Sequence, residues 1–216
     1  MSLASAALLG LGLGVKHALE ADHLAAVCTI VSRGGGAASA ARSGALWGAG
    51  HGAVIILAGS ALVLSGAQVP APLATMLDIA VAMMLVALGV STIAMKTNHT
   101  HSHSHGAKKP HAQVARAPAR PLLVGCVHGA SGTAALTLLV ATTIPTRSDG
   151  LTFIALFGLA SILGMATAAA LIALPLGRIR RGGPSFARAV RAASGLASVA
   201  AGLVVAWSTL VVATPS

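Results

Sequence analysis

Residues 14–27 read GVKHALEADHLAAV, and the fold turns on how this stretch is understood. It lies inside an apolar segment from about Leu3 to Val31, interrupted only by Lys16, His17, Glu20, Asp22 and His23. About 20 helical residues cross a hydrocarbon core ~30 Å thick, so the segment is long enough to span a bilayer. One ionised side chain at the centre of such a helix costs ~2.5–3.5 kcal/mol. Lys16, Glu20 and Asp22 together therefore weigh heavily on this helix, and groups of this kind face a cavity, a partner or an ion.

The spacing adds a constraint. On a regular α-helix His17 and Glu20 share a face, while Asp22 lies about 140° and His23 about 120° from His17. One straight helix cannot aim His17, Asp22 and His23 at a single point. Convergence needs local unwinding or neighbouring helices wrapped around the cluster. Gly10, Gly12 and Gly14 make a break or a close helix crossing plausible. Glu20 is expected to pair with Lys16, four residues before it.

Five further apolar segments follow, at about 43–65 with His51, 73–95 with Asp78, 122–144 with His128, 151–176, and 187–212. They are too long and too uniformly apolar for alternating β-barrel strands, and lipid leaves the backbone no choice but helix. The expected fold is all-α, a polytopic membrane protein of six transmembrane helices. The chain divides into helices 1–3 (1–95), a His-rich loop (96–121) and helices 4–6 (122–216). The N-terminal segment has no Lys or Arg before Lys16, so it reads as a membrane helix rather than a signal peptide.

Composition agrees. Apolar residues make up 56 % and charged residues 8 %, against about 25 % charged in soluble domains. The net charge of +10 does not indicate nucleic-acid binding, because the basic residues sit in short loops and aromatics are only 2 %. Loops 1–2, 3–4 and 5–6 hold twelve Lys and Arg; the other side holds only Arg147. The positive-inside rule places those three loops in the cytoplasm and both termini outside the cell membrane. Cys28 and Cys126 fall in apolar segments without a CxxC motif and read as small packing residues, with Cys126 a weaker ligand candidate.

An echo links the two halves. GVKHALEADHLAAV in segment one is answered by GCVHGASGTAALTL in segment four, both Gly-x-x-His followed by small and apolar residues. Three spans apart, they cross in opposite senses, which predicts a 3+3 inverted repeat with a site near mid-membrane. Imidazole nitrogen suits nickel, cobalt, copper and zinc, and a carboxylate offsets the charge. The candidate metal ligands are His17, Asp22, His23, His51 and His128. The bland readings are a metal-free proton relay for the first cluster and packing histidines for His51 and His128. Asp78 reads as an interfacial cap, and Ser131 and Thr133 as helix-to-helix bonds. His99, His101, His103, His105 and His111 mark the 96–121 loop as metal-affine, or else as a simple tether.

The HALEADH run resembles the hallmark of the nickel/cobalt transporter (NiCoT) family, His-x4-Asp-His in an early membrane helix, here His17, Asp22 and His23. GHGAV around His51 is similar to that family's Gly-His-Ser motif, with Gly52 in place of the serine. VHGASGTAAL around His128 resembles the shorter urease-accessory-type permeases grouped with the family, whose six-span length this chain shares. The resemblance implies passage of Ni2+ or Co2+ as the transported substrate, with His17, Asp22 and His23 at the selectivity site. It also implies cytoplasmic partners such as a metallochaperone or urease or hydrogenase maturation proteins, and no resident cofactor.

Other classes fare worse. HEXXH is absent, which argues against an intramembrane metalloprotease or other enzyme, and no Walker-type GxxxxGK[ST] occurs. An exporter of small organic solutes on a similar six-helix frame is the alternative reading, followed by a metal sensor or assembly factor.

Overall fold

The computed structural model describes residues 2–32, 36–95, 119–180 and 183–213. Seven helices account for nearly all of them: α1 (Leu3–Ala18), α2 (Ala21–Ser32), α3 (Ala37–Ser65), α4 (Ala71–Ala94), α5 (Ala119–Thr143), α6 (Arg147–Arg180) and α7 (Pro184–Ala213). Each expected apolar segment is helical, and the first is split into α1 and α2, bent by 53°. Four helices, α3, α4, α6 and α7, are long and apolar enough to cross a membrane, and α1 with α2 makes a fifth if the bent pair is one span. The fold is thus all-α and multi-pass. Residues 119–121 of the expected loop already belong to α5, and its histidines lie outside the described residues.

Helices α3 and α6 form the centre. α5 packs on α3, α1 packs on α6, α4 pairs with α7, and α2 lies against α6, α7 and α4. Small residues make the crossings close. A Cβ at Gly10 would stand 2.6 Å from the Phe153 carbonyl oxygen, and one at Gly14 would stand 2.8 Å from the Ala160 Cβ. Gly12, on the opposite side of α1, meets nothing within 4 Å. The expected close crossing is therefore real and uses two of the three glycines. The chain does not break at any of them.

Hydroxyls stitch the crossings further. Ser161 Oγ donates to the Gly14 carbonyl at 3.3 Å as well as to Phe157 in its own helix, and Ser198 Oγ donates to the Leu85 carbonyl at 2.8 Å. The buried layer is made of Ala, Val, Leu85, Trp47 and Met165, with a second group around Ile55, Phe153 and Phe157. Leu8, Leu57, Met76, Leu163, Val204 and Trp207 face outward, each more than half exposed. An outer surface this rich in large apolar side chains suits lipid rather than water.

Candidate metal site

The site begins where α1 stops. The amide of Leu19 turns back to Lys16 and His17, and the amide of Glu20 donates to the His17 carbonyl at 3.1 Å. The amide of Leu24 then opens α2 by donating to the Glu20 carbonyl at 2.9 Å. This tight turn satisfies amides that a helix end leaves free. It also redirects the chain, so that the His17 and His23 rings lie 4.4 Å apart, edge to face. Unwinding, one of the two routes to convergence open from spacing, is the one the chain takes at this point.

Asp22 holds the cluster together. Its Oδ1 accepts from the His23 amide at 2.8 Å and faces His23 Nδ1 at 3.0 Å. Its Oδ2 accepts from His128 Nε2 on α5 at 2.9 Å. Glu20 plays a similar part for His17, accepting from Nδ1 at 2.8 Å. The expected Lys16–Glu20 pair is not formed: the break moves Glu20 off the regular i+4 position and onto the imidazole. An ionised carboxylate only accepts, so in neutral rings the protons sit on Nδ1 of His17, Nδ1 of His23 and Nε2 of His128. Each ring then keeps one nitrogen lone pair, at Nε2 of His17, Nε2 of His23 and Nδ1 of His128.

The remaining histidine comes from α3. His51 Nε2 faces His17 Nε2 at 3.1 Å, and its ring lies 5.1 Å from that of His23. Two nitrogens on one ion at about 2.0–2.1 Å stand ~2.9 Å apart at a right angle and ~3.4 Å apart at the tetrahedral angle. The observed separation falls between the two. His17, His23 and His51 each offer one ligand atom within 4.8 Å of the others, and so do Asp22, His23 and His128. Both sets can hold a cation, and His23 belongs to both. His23, His51 and His128 are buried, and His17 and Asp22 are partly so.

All five ligand candidates therefore lie in one cluster, from helices far apart in sequence. Two neighbours were not anticipated. Glu20 orients His17, and Trp47, fully buried one helical turn before His51, sets its ring 5.5 Å from that of His23 and 5.8 Å from that of His128. Four buried side-chain polar atoms find no hydrogen-bond partner among the described residues: His23 Nε2, His51 Nδ1, His128 Nδ1 and Trp47 Nε1. All four belong to this cluster, and buried polar atoms in folded proteins are normally paired.

Asp78 is no cap. It is the eighth residue of α4, and its carboxylate accepts from the Ser131 hydroxyl on α5. The Thr133 hydroxyl donates to the Gly129 carbonyl of its own helix at 2.7 Å. Cys28 and Cys126 are free thiols, and neither joins the ligand groups. A cleft lined by Leu62, Gln68, Ile144 and Arg147 opens where α3 and α5 end and α6 begins, and shares no residue with the cluster.

No protein-family model matches the chain, and no solved structure does. A curated relative does: the urease accessory protein UreH of Bacillus sp. (strain TB-90) is 33 % identical over 180 residues, covering 81 % of this chain and 79 % of that protein. At that identity and coverage, a polytopic helical chain built around buried imidazoles and a carboxylate belongs to the UreH family of urease accessory proteins.

Proposed function

We propose that the chain is a secondary permease that moves Ni2+ or Co2+ across the cytoplasmic membrane through the His17–Asp22–His23–His51–His128 cluster. One observation carries this reading. Imidazole nitrogens from α1 and α3 meet at 3.1 Å in an apolar bundle, beside a third whose Nε2 has no partner among the described residues. Nitrogen donors gathered at such a cost are suited to replacing the water shell of a borderline dication. Asp22 and Glu20 hold the imidazoles in tautomers that present lone pairs, the carboxylate–histidine arrangement that supports metal ligands.

The six-span topology is part of the proposal. The bent α1–α2 pair counts as one span, and α5, at 25 residues, supplies the sixth; about 37 Å of helix is enough for a ~30 Å core. The three basic loops are then cytoplasmic and both termini external. Helix pairing supports the inverted repeat. Exchanging the two halves maps α3 with α5 onto α6 with α1, and keeps α3 with α6 and α4 with α7 as pairs. The HALEADH signature points to the nickel/cobalt transporters, and kinship with a urease accessory protein fits supply of metal to a metalloenzyme and its maturation partners.

The test is uptake of nickel and cobalt into proteoliposomes under an imposed pH gradient. Flux is expected from the intact chain and is expected to fall to background in His17→Ala and Asp22→Ala at equal incorporation. Wild-type flux in both variants ends the proposal. Flux of organic solutes without metal flux favours the exporter reading instead.

A further inference from the structure

We infer that Trp47 is a working part of the ion site: its indole N–H donates to an oxygen, water or hydroxide, that the ion keeps as a ligand while it sits among the histidines. The inference rests on the cluster being a cation site and names the form in which the cation is held. Trp47 is fully buried, and its Nε1 lacks a partner among the described residues. An indole nitrogen can only donate. Beside it stand His23 and His128, whose rings lie 5.5 and 5.8 Å away and whose unbonded nitrogens, in the tautomers set by Asp22, can only accept.

A donor and two acceptors are carried on neighbouring buried rings, and none has a partner among the described residues. Ordered water takes such places, since a buried water needs two to four polar partners. The ion supplies the reason for that water. Three imidazoles leave at least one position open on a dication that takes four to six ligands. With His17, His23 and His51 spending their lone pairs on the ion, an oxygen ligand in that position accepts from the indole and, as water, donates to the lone pair left at Nδ1 of His128. Trp47 is also four residues from His51 on α3, hence on the same helix face. The site so described accepts a partly hydrated dication, and discriminates against one that is satisfied by nitrogens alone.

Trp47→Phe keeps an aromatic ring, though a smaller one, and removes the donor. In the purified full-length chain, nickel is expected to bind roughly tenfold more weakly to this variant. The visible absorption bands of bound nickel or cobalt, which report the ligand set, are expected to shift as well. A folded Trp47→Phe protein with the wild-type nickel Kd and an unchanged spectrum overturns the inference.

A second arm needs no change at the site. The chain has two tryptophans, and Trp207 is 73 % exposed. Trp207→Phe leaves Trp47 as the sole indole, whose N–H hydrogen-bond marker in ultraviolet resonance Raman spectra is expected to move on adding nickel. A marker that stays put in nickel-loaded protein overturns the inference, and this arm decides alone if Trp47→Phe does not fold. Failure of the wild-type chain to bind nickel at all defeats the permease proposal itself, a different result from equal binding by both proteins.

Discussion

The α1–α2 pair and α5 carry the same Gly-x-x-His motif, yet they serve the site in different ways. The first is broken between Ala18 and Ala21, bent by 53°, and brings two histidines and two carboxylates. The second is continuous and brings one histidine, followed by Gly129, Ser131, Gly132 and Thr133. All the negative charge in the cluster comes from the broken side. The continuous side contributes close approach, because its glycines let α5 lie against the backbone of α3 at Trp47 and His51. Breaking a helix multiplies the functional groups it can aim at one point. Keeping one whole, and small, brings a single group in with little freedom.

The largest effect should come from Asp22, which accepts three hydrogen bonds across both regions. Asp22→Ala is expected to take nickel flux down to background, a drop of roughly 100-fold, and His128 should lose its orientation with it. If flux in proteoliposomes survives, the broken side is not the source of the site's order. Gly129→Ala tests the other side. Its Cβ would stand 2.5 Å from the His51 carbonyl oxygen, too close for any side chain. Overpacking of this kind costs about 1–3 kcal/mol, and the measurement is the thermal midpoint in detergent. An unchanged midpoint would mean that α5 can move away from α3 freely.

Glu20 sharpens the contrast within the broken region. Glu20→Ala is expected to weaken nickel binding about tenfold by freeing the His17 ring, whereas Glu20→Gln, whose amide oxygen still accepts from Nδ1, should stay near wild type. Equal loss in both variants, read by nickel titration, would assign Glu20 a charge role instead of an orienting one. The smallest effect belongs to the continuous region. Ser131→Ala removes the bond to Asp78 and is expected to cost about 0.6 kcal/mol of unfolding stability, typical for a polar contact between membrane helices. Greater loss of transport than of stability would bring Asp78 into the ion path.

The helices were legible because a hydrocarbon core imposes a length, and six apolar runs of that length are visible in the sequence. The cluster was legible for a related reason: His17, Asp22, His23, His51 and His128 are costly where they stand, and such groups in a bilayer face a cavity, a partner or an ion. The path of α1–α2 was less so. Periodicity describes a helix that continues, and spacing alone left unwinding and wrapping helices equally open. The Lys16–Glu20 expectation failed for the same reason, since i+4 geometry lapses across a turn. Trp47 gave no signal because a buried aromatic is usually just packing; what separates it from Phe153 or Phe157 is a nitrogen with no partner among the described residues. Asp78 looked like an end cap because sequence gives depth in the helix poorly and its partner on α5 not at all.

The break between Ala18 and Ala21 also has an electrical meaning. Each peptide carries a dipole, and in a helix these add to about half a positive charge at the N-terminus and half a negative charge at the C-terminus. In one uninterrupted span both poles would lie at the membrane faces. Here α1 ends and α2 starts beside the imidazoles, so the negative pole of α1 falls next to His17 and the positive pole of α2 next to Asp22. The main chain itself thus supplies a field that favours a cation at His17 and an anion at Asp22, before any side chain moves.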